Sequence, residues 1–234
     1  MNSLSQIAGK FRTRVGESLS TVEKHDTPLA EATTPSLEAL KAYSAGWKVK
    51  FSTGSIAAVP FFKRAIEIDP RFAIAHAWLG RMYGDMGESD LSAVSTTKAY
   101  QLQDRASDAE KFFITASYDL QVTGNLEKAQ QTCELWAQTY PREMGLHGFL
   151  AGIIYPITGR YEKSVEEAKK AIDLDPNFAI GYSILAFSYE LPGAPGGSHE
   201  RPPASLRAQA GNRRLFGPAL RHRLFERRQG GNGT

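Results

Sequence analysis

The side chains best suited to chemistry in this 234-residue chain are five histidines, a single cysteine and a few adjacent carboxylates. His25, His76, His147, His199 and His222 lie far apart, with no His-x-x-x-His pair and no cysteine partner, so they lack the ligand spacing of a metal site. Cys133 stands alone, which excludes a disulfide framework and a thiolate metal centre. It falls on the apolar side of its segment, where a buried thiol is inert rather than nucleophilic. Glu166 and Glu167, beside Lys163, Lys169 and Lys170, read as a solvated helix face with helical ion pairs. His76 and His147 read as polar side chains at junctions between helices.

Phosphoryl-transfer motifs are missing: there is no Gly-rich loop with a following Val-Ala-Ile-Lys lysine, no His-Arg-Asp and no Asp-Phe-Gly. Gly152 to Gly159-Arg160 only superficially resembles a phosphate loop, and Asn232-Gly233-Thr234 matches a glycosylation sequon by chance. The expectation is a non-enzymatic chain with no catalytic residue, no cofactor, no metal and no small-molecule substrate.

Apolar residues make up 41% of the chain, enough for a sizeable core, yet no stretch approaches the roughly 20 apolar residues of a membrane span. Residues 1–7 lack the apolar core of a signal peptide, and the expected location is cytoplasmic. The net charge of +3 averages two unlike segments. Residues 192–234 hold 8 Arg and 2 acids, whereas residues 1–191 hold 20 basic and 23 acidic side chains. The mildly acidic body gives no reason to expect nucleic-acid binding there.

What positions these side chains is a repeat. Asp69-Pro70-Arg71-Phe72-Ala73-Ile74 returns as Asp175-Pro176-Asn177-Phe178-Ala179-Ile180, with the two prolines 106 residues apart and Pro141 between them. That interval is three periods of about 34 residues plus a small insertion, a helix-turn-helix spacing. Gly46, Gly80, Ala116 and Gly152 supply the small residue where the first helix (A) of each unit is crossed by the second (B). Ala65, Ala99 and Ala171 do the same from the B side. Gly54, Gly87, Gly124 and Gly159 turn the chain between A and B. The insertion at Arg105-Ala106-Ser107-Asp108 delays the third unit, with Ser107 and Glu110 at capping-box spacing. Trp78-Leu79-Gly80, Tyr83 and Ala99 follow the Trp/Leu-Gly…Tyr…Ala pattern, and the chain resembles tetratricopeptide repeat proteins. The resemblance implies an all-α solenoid, a right-handed superhelix, here with about four repeats plus the first helix of a fifth over residues 36–191.

Before the array, Ile7, Phe11, Val15, Leu19 and Val22 recur every three or four residues, predicting an amphipathic helix in a segment covering residues 1–35. Its polar side carries Lys10, Arg12 and Arg14. Asp26-Thr27-Pro28-Leu29 and Ala32-Thr33-Thr34-Pro35-Ser36-Leu37-Glu38-Ala39-Leu40-Lys41-Ala42-Tyr43 resemble the segment joining effector domain to repeat array in bacterial multidomain regulators. These are chiefly serine/threonine protein kinases and winged-helix transcriptional regulators. The resemblance implies a regulatory or scaffolding array whose effector domain would be encoded upstream.

Projection of the repeat frame puts Tyr43, Trp47 and Lys50, then Ala77, Arg81 and Asp85, then Ile114, Tyr118 and Gln121, then Phe149, Ile153 and Ile157 on the groove formed by the A helices. The surface is aromatic and aliphatic, with Lys50 and Arg81 as its only cations. An apolar extended or helical segment of a protein partner suits it better than an acidic C-terminus, and the alternative of equal weight is that much of the stripe packs against a neighbouring helix such as the N-terminal one.

After Leu191 the repeat grammar stops. Residues 192–234 hold 5 of the 12 prolines and 8 of the 21 glycines, the composition of a disordered tail. Codon degeneracy lets residues 219–225 and 228–234 be read one nucleotide later as text of the same repeat family, so a frameshift is the preferred explanation. The rival is a basic tail that contacts nucleic acid or acidic lipid. Either way the fifth unit's Ile180, Ile184, Leu185, Phe187 and Tyr189 are expected to expose apolar surface and favour self-association.

Overall fold

The computed structural model describes residues 34–176 and 179–189; the expected N-terminal amphipathic helix, the 192–234 tail and its frameshift lie outside these residues. Among the described residues the regular structure is entirely helical. The helices are α1 (Leu37–Ser52), α2 (Ser55–Ile68), α3 (Ala73–Met86), α4 (Ser89–Gln101), α5 (Asp108–Tyr118) and α6 (Leu126–Thr139). They continue with α7 (Met144–Phe149), α8 (Tyr155–Thr158), α9 (Tyr161–Leu174) and α10 (Ala179–Tyr189). A π-helical turn, Leu150–Ile154, joins α7 to α8 into one A helix, and another, Asp119–Thr123, extends α5. Each A helix packs on its own B helix and each B helix on the following A, which is the tetratricopeptide type of solenoid.

The turns within the units form where the glycines allow them. Gly54, Gly87, Gly124 and Gly159 have φ of 117, 86, 70 and 76°, and no other residue type adopts positive φ among the described residues. The starts of A helices are set by side chains. Ser36 Oγ accepts from the Ala39 amide, and Thr34 Oγ1 accepts from the Ser36 amide while donating to the Asp69 carboxylate at 2.6 Å. That last bond ties the entrance of α1 to the exit of α2. At the insertion, a 3-10 turn (Gln103–Arg105) precedes a complete capping box: Ser107 Oγ accepts from the Glu110 amide, and Glu110 accepts from the Ser107 amide at 2.9 Å.

Helix crossings are close because a hydrogen stands where a side chain would be. A methyl on Gly80 would lie 2.2 Å from Thr96 Oγ1 and 3.1 Å from the Ser92 carbonyl, and one on Gly46 would lie 3.0 Å from the Phe62 ring. Ala65, Ala99, Ala116 and Ala171 are fully buried, and Gly152 is buried within its π-helical turn.

A polar device recurs at the unit junctions. His76 Nε2 lies 3.0 Å from the Pro70 carbonyl, His147 Nε2 lies 2.9 Å from the Pro141 carbonyl, and Tyr182 donates its hydroxyl to the Pro176 carbonyl at 3.1 Å. Each bond satisfies a carbonyl of the connection, one residue past the C-cap of the preceding helix. It also fixes the angle of the next A helix. The expectation of exposed apolar surface on the fifth unit is corrected in part. Ile184 and Leu185 are buried against Ala151, Val165 and Ala168, while Phe187 and Tyr189 are half-buried.

Candidate functional site

The A helices of units one to four converge on one cavity of about 240 Å³. Its wall is aromatic, and all three tryptophans of the chain, Trp47, Trp78 and Trp136, line it. The rings form a ladder across the units. Phe51 meets Trp47 at 4.8 Å between centroids, Trp47 meets Trp78 at 4.3 Å, Trp78 stacks on Phe113 at 4.7 Å and 13°, and Phe113 meets Phe149 at 5.5 Å. Such pairs contribute about 0.5–1.5 kcal/mol each beyond burial. The ladder therefore couples α1, α3, α5 and α7, with Trp47 and Trp78 half-buried and Phe113 and Phe149 buried.

The polar groups sit at two places on the wall. At one, Asp85 is held by Lys50 Nζ at 2.7 Å, by Arg81 at 2.6 Å and by the Ser55 hydroxyl at 2.8 Å. Burial alone would raise the Asp85 carboxyl, but Arg81 and Lys50 keep it below the usual carboxylate range. These three charges are largely removed from water, with side chains 8–14% exposed. At the other place stand Glu110 and Glu143, the latter accepting from the Trp136 indole at 2.7 Å. Tyr43, whose hydroxyl accepts from the Trp47 indole at 2.8 Å, lies within the field of both. Burial first, then Glu110 and, further down, Glu143, push its phenol up. The cavity thus has a basic corner, where two cations share one carboxylate, and an acidic one.

Of the residues projected onto the groove, Tyr43, Trp47, Lys50, Arg81, Asp85, Phe149 and Ile153 line this cavity. Ile114 does not: it is fully buried in the core, as is Ala77, and Ile157 is buried too. Tyr118 stacks on Tyr100 of α4 at 4.2 Å, and Gln121 accepts from Thr96 at 2.7 Å and Ser92 at 3.2 Å. These two residues join α4 to the extended α5 rather than facing the cavity. Counted from the small crossing residue, Phe113 stands three before Ala116, as Tyr43 does before Gly46 and Phe149 before Gly152, so Phe113 rather than Ile114 holds the inward position of the frame. In unit three it is Ala109, Glu110 and Phe113 that face inward. Sequence reasoning missed Trp78, which the repeat frame assigns to packing, and Trp136 and Glu143, which come from the end of a B helix and from a junction. For the two tryptophans the available signal was their scarcity, three in the whole chain; Glu143 carried none.

A second polar cluster lies just behind the cavity wall. His147 Nδ1 is 2.5 Å from Glu167 Oε2, its Nε2 faces the Pro141 carbonyl, and Lys170 donates to Glu167 Oε1 at 2.7 Å. Both ring nitrogens face acceptors, so the ring carries two protons and the pair is ionic. Burial works against the charge, but the Glu167 carboxylate and the Pro141 carbonyl raise the imidazole above its ordinary value. Glu167 is likewise opposed by burial and held low by His147 and Lys170. The reading of Glu167 as solvated is therefore corrected: Glu166 is exposed, but Glu167 is buried. Cys133 is fully buried and its thiol is pushed up, chiefly by that burial and then by Glu134. Among the described residues no helix is long and apolar enough to cross a membrane.

Residues 149–178 match the Tetratricopeptide repeat family, a stretch that runs from the π-helical turn through α9. No curated protein sequence matches the chain. Among solved structures, a thermophilic tetratricopeptide protein of Thermus thermophilus is similar at 20% identity, over 64% of this chain and 81% of that one, with a TM-score of 0.42. MamA is similar at 19% identity, over 80% and 95%, with a TM-score of 0.36. YrrB, described as a tetratricopeptide protein with an unusual peptide-binding site, is similar at 12% identity, over 80% and 85%, with a TM-score of 0.35. Its stacked helix pairs make the chain a helical repeat protein, one unit of which matches the Tetratricopeptide repeat family.

Proposed function

We propose that the chain is a protein-interaction scaffold that seats an apolar face of a partner helix or extended peptide in the A-helix cavity. The observation that carries this reading is the aromatic ladder. Trp47, Trp78 and Phe149 present large, rigid apolar area at low entropic cost, the make-up of binding hot spots. Lys50 and Arg81 are both engaged by Asp85, which favours an apolar anchor over an acidic tail. The wording of residues 26–43 supports a place for this array beside the effector domain of a larger bacterial signalling protein, with a serine/threonine kinase or transcriptional regulator as the form of that effector.

The test uses a displayed library of 16-residue amphipathic peptides selected against the full chain. Recovered binders should lose at least tenfold in affinity on Phe149→Ala, with the unfolding transition still cooperative. Binders indifferent to Phe149→Ala and Trp47→Ala, but abolished by changes to exposed lysines, would contradict the reading.

A further inference from the structure

We propose that the cavity is occupied by the chain's own residues 7–22, an inference that rests on the groove reading above and names its first ligand. Three observations select this occupant. The first is shape: Ile7, Phe11, Val15, Leu19 and Val22 fall on one side of a helical repeat. Sixteen residues of helix are about 24 Å long. That suits a ladder whose four centroid steps run from 4.3 to 5.5 Å.

The second is charge. Residues 7–22 carry Lys10, Arg12 and Arg14 against Glu17, while the cavity wall carries Glu110 and Glu143, which accept from the Ser107 amide and the Trp136 indole, at a distance along the wall from the Lys50–Asp85–Arg81 corner. A basic amphipathic segment therefore meets both the apolar and the acidic parts of the wall. The third is reach. Residues 23–33 span up to about 36–40 Å when extended. The cavity begins on α1 itself, at Tyr43, within about 11 Å along the helix from its start. The connection is long enough without strain. Tethering at that distance gives an effective concentration on the order of millimolar.

The experiment titrates a labelled peptide of residues 5–24 into the full chain and into the full chain with Phe11→Asp and Val15→Asp. The tethered copy competes in the first and not in the second, so the peptide should bind the double variant at least tenfold more tightly. Adding Phe149→Ala to that variant should reverse the gain. Equal affinity for both chains overturns the inference. So does a concentration-dependent dimer of the unmodified chain that the double variant abolishes, because the segment then seats on a second copy. A peptide that fails to bind while a library-selected helix binds through Phe149 sinks this inference and leaves the groove reading standing. If no helix of either kind binds, both fall.

Discussion

At Gly80 an added methyl would lie 2.2 Å from Thr96 Oγ1, and the Thr96 amide and Ser92 carbonyl, each 3.1 Å away, leave little room for retreat. Thr96 Oγ1 is itself committed to Gln121 at 2.7 Å. Gly80→Ala is expected to overpack the α3–α4 crossing and cost about 1–3 kcal/mol in a chemical-denaturation experiment. Gly145 provides the contrast, since a methyl there meets nothing within 4 Å. Gly145→Ala should stay within about 0.5 kcal/mol of the parent. Equal midpoints for the two variants would count against the crossing. This residue was legible from sequence because a small side chain at a fixed repeat position has one physical reason, close helix approach. The His147–Glu167 pair was not legible. Its members are 20 residues apart on different helices, and a glutamate among lysines has the same local text whether buried or solvated.

Helices α7 and α9 are joined by that pair, and its ionisation sets how firmly the fourth unit closes. His147 is raised above its ordinary value, so its stabilisation is complete below about pH 6.5 and is lost as pH rises through the raised value. Glu167 is lowered, so its share is present above about pH 4.3 and is lost as pH falls through the lowered value. His76 has the opposite sign, held low chiefly by burial, and is already neutral on the alkaline side. The melting temperature should therefore fall between about pH 6 and about pH 9, and His147→Gln should flatten that fall. A parallel fall in the variant would assign the effect elsewhere. Element order was readable in the sequence, because prolines and glycines punctuate each unit at positions that the backbone dictates. The rotation of α5 was not. A slip of one residue exchanges Phe113, which lines the cavity, for Ile114, which is buried in the core, and two adjacent apolar residues do not differ in hydrophobicity enough to fix that choice.

Across the whole molecule the four units share one aromatic wall, the surface proposed to seat a partner. Trp47 comes from the first unit, Trp78 from the second and Trp136 from the third, so the chain's complete set of indoles reports on the cavity at three separate points. The most direct measurement is fluorine NMR of the full chain labelled with 5-fluorotryptophan. The three resonances, assigned by single Trp→Phe variants, are followed while a library-selected amphipathic peptide is added. The predicted result is that all three move, with one common affinity. Saturable binding that leaves the three resonances unmoved would place the partner outside the cavity and contradict the account.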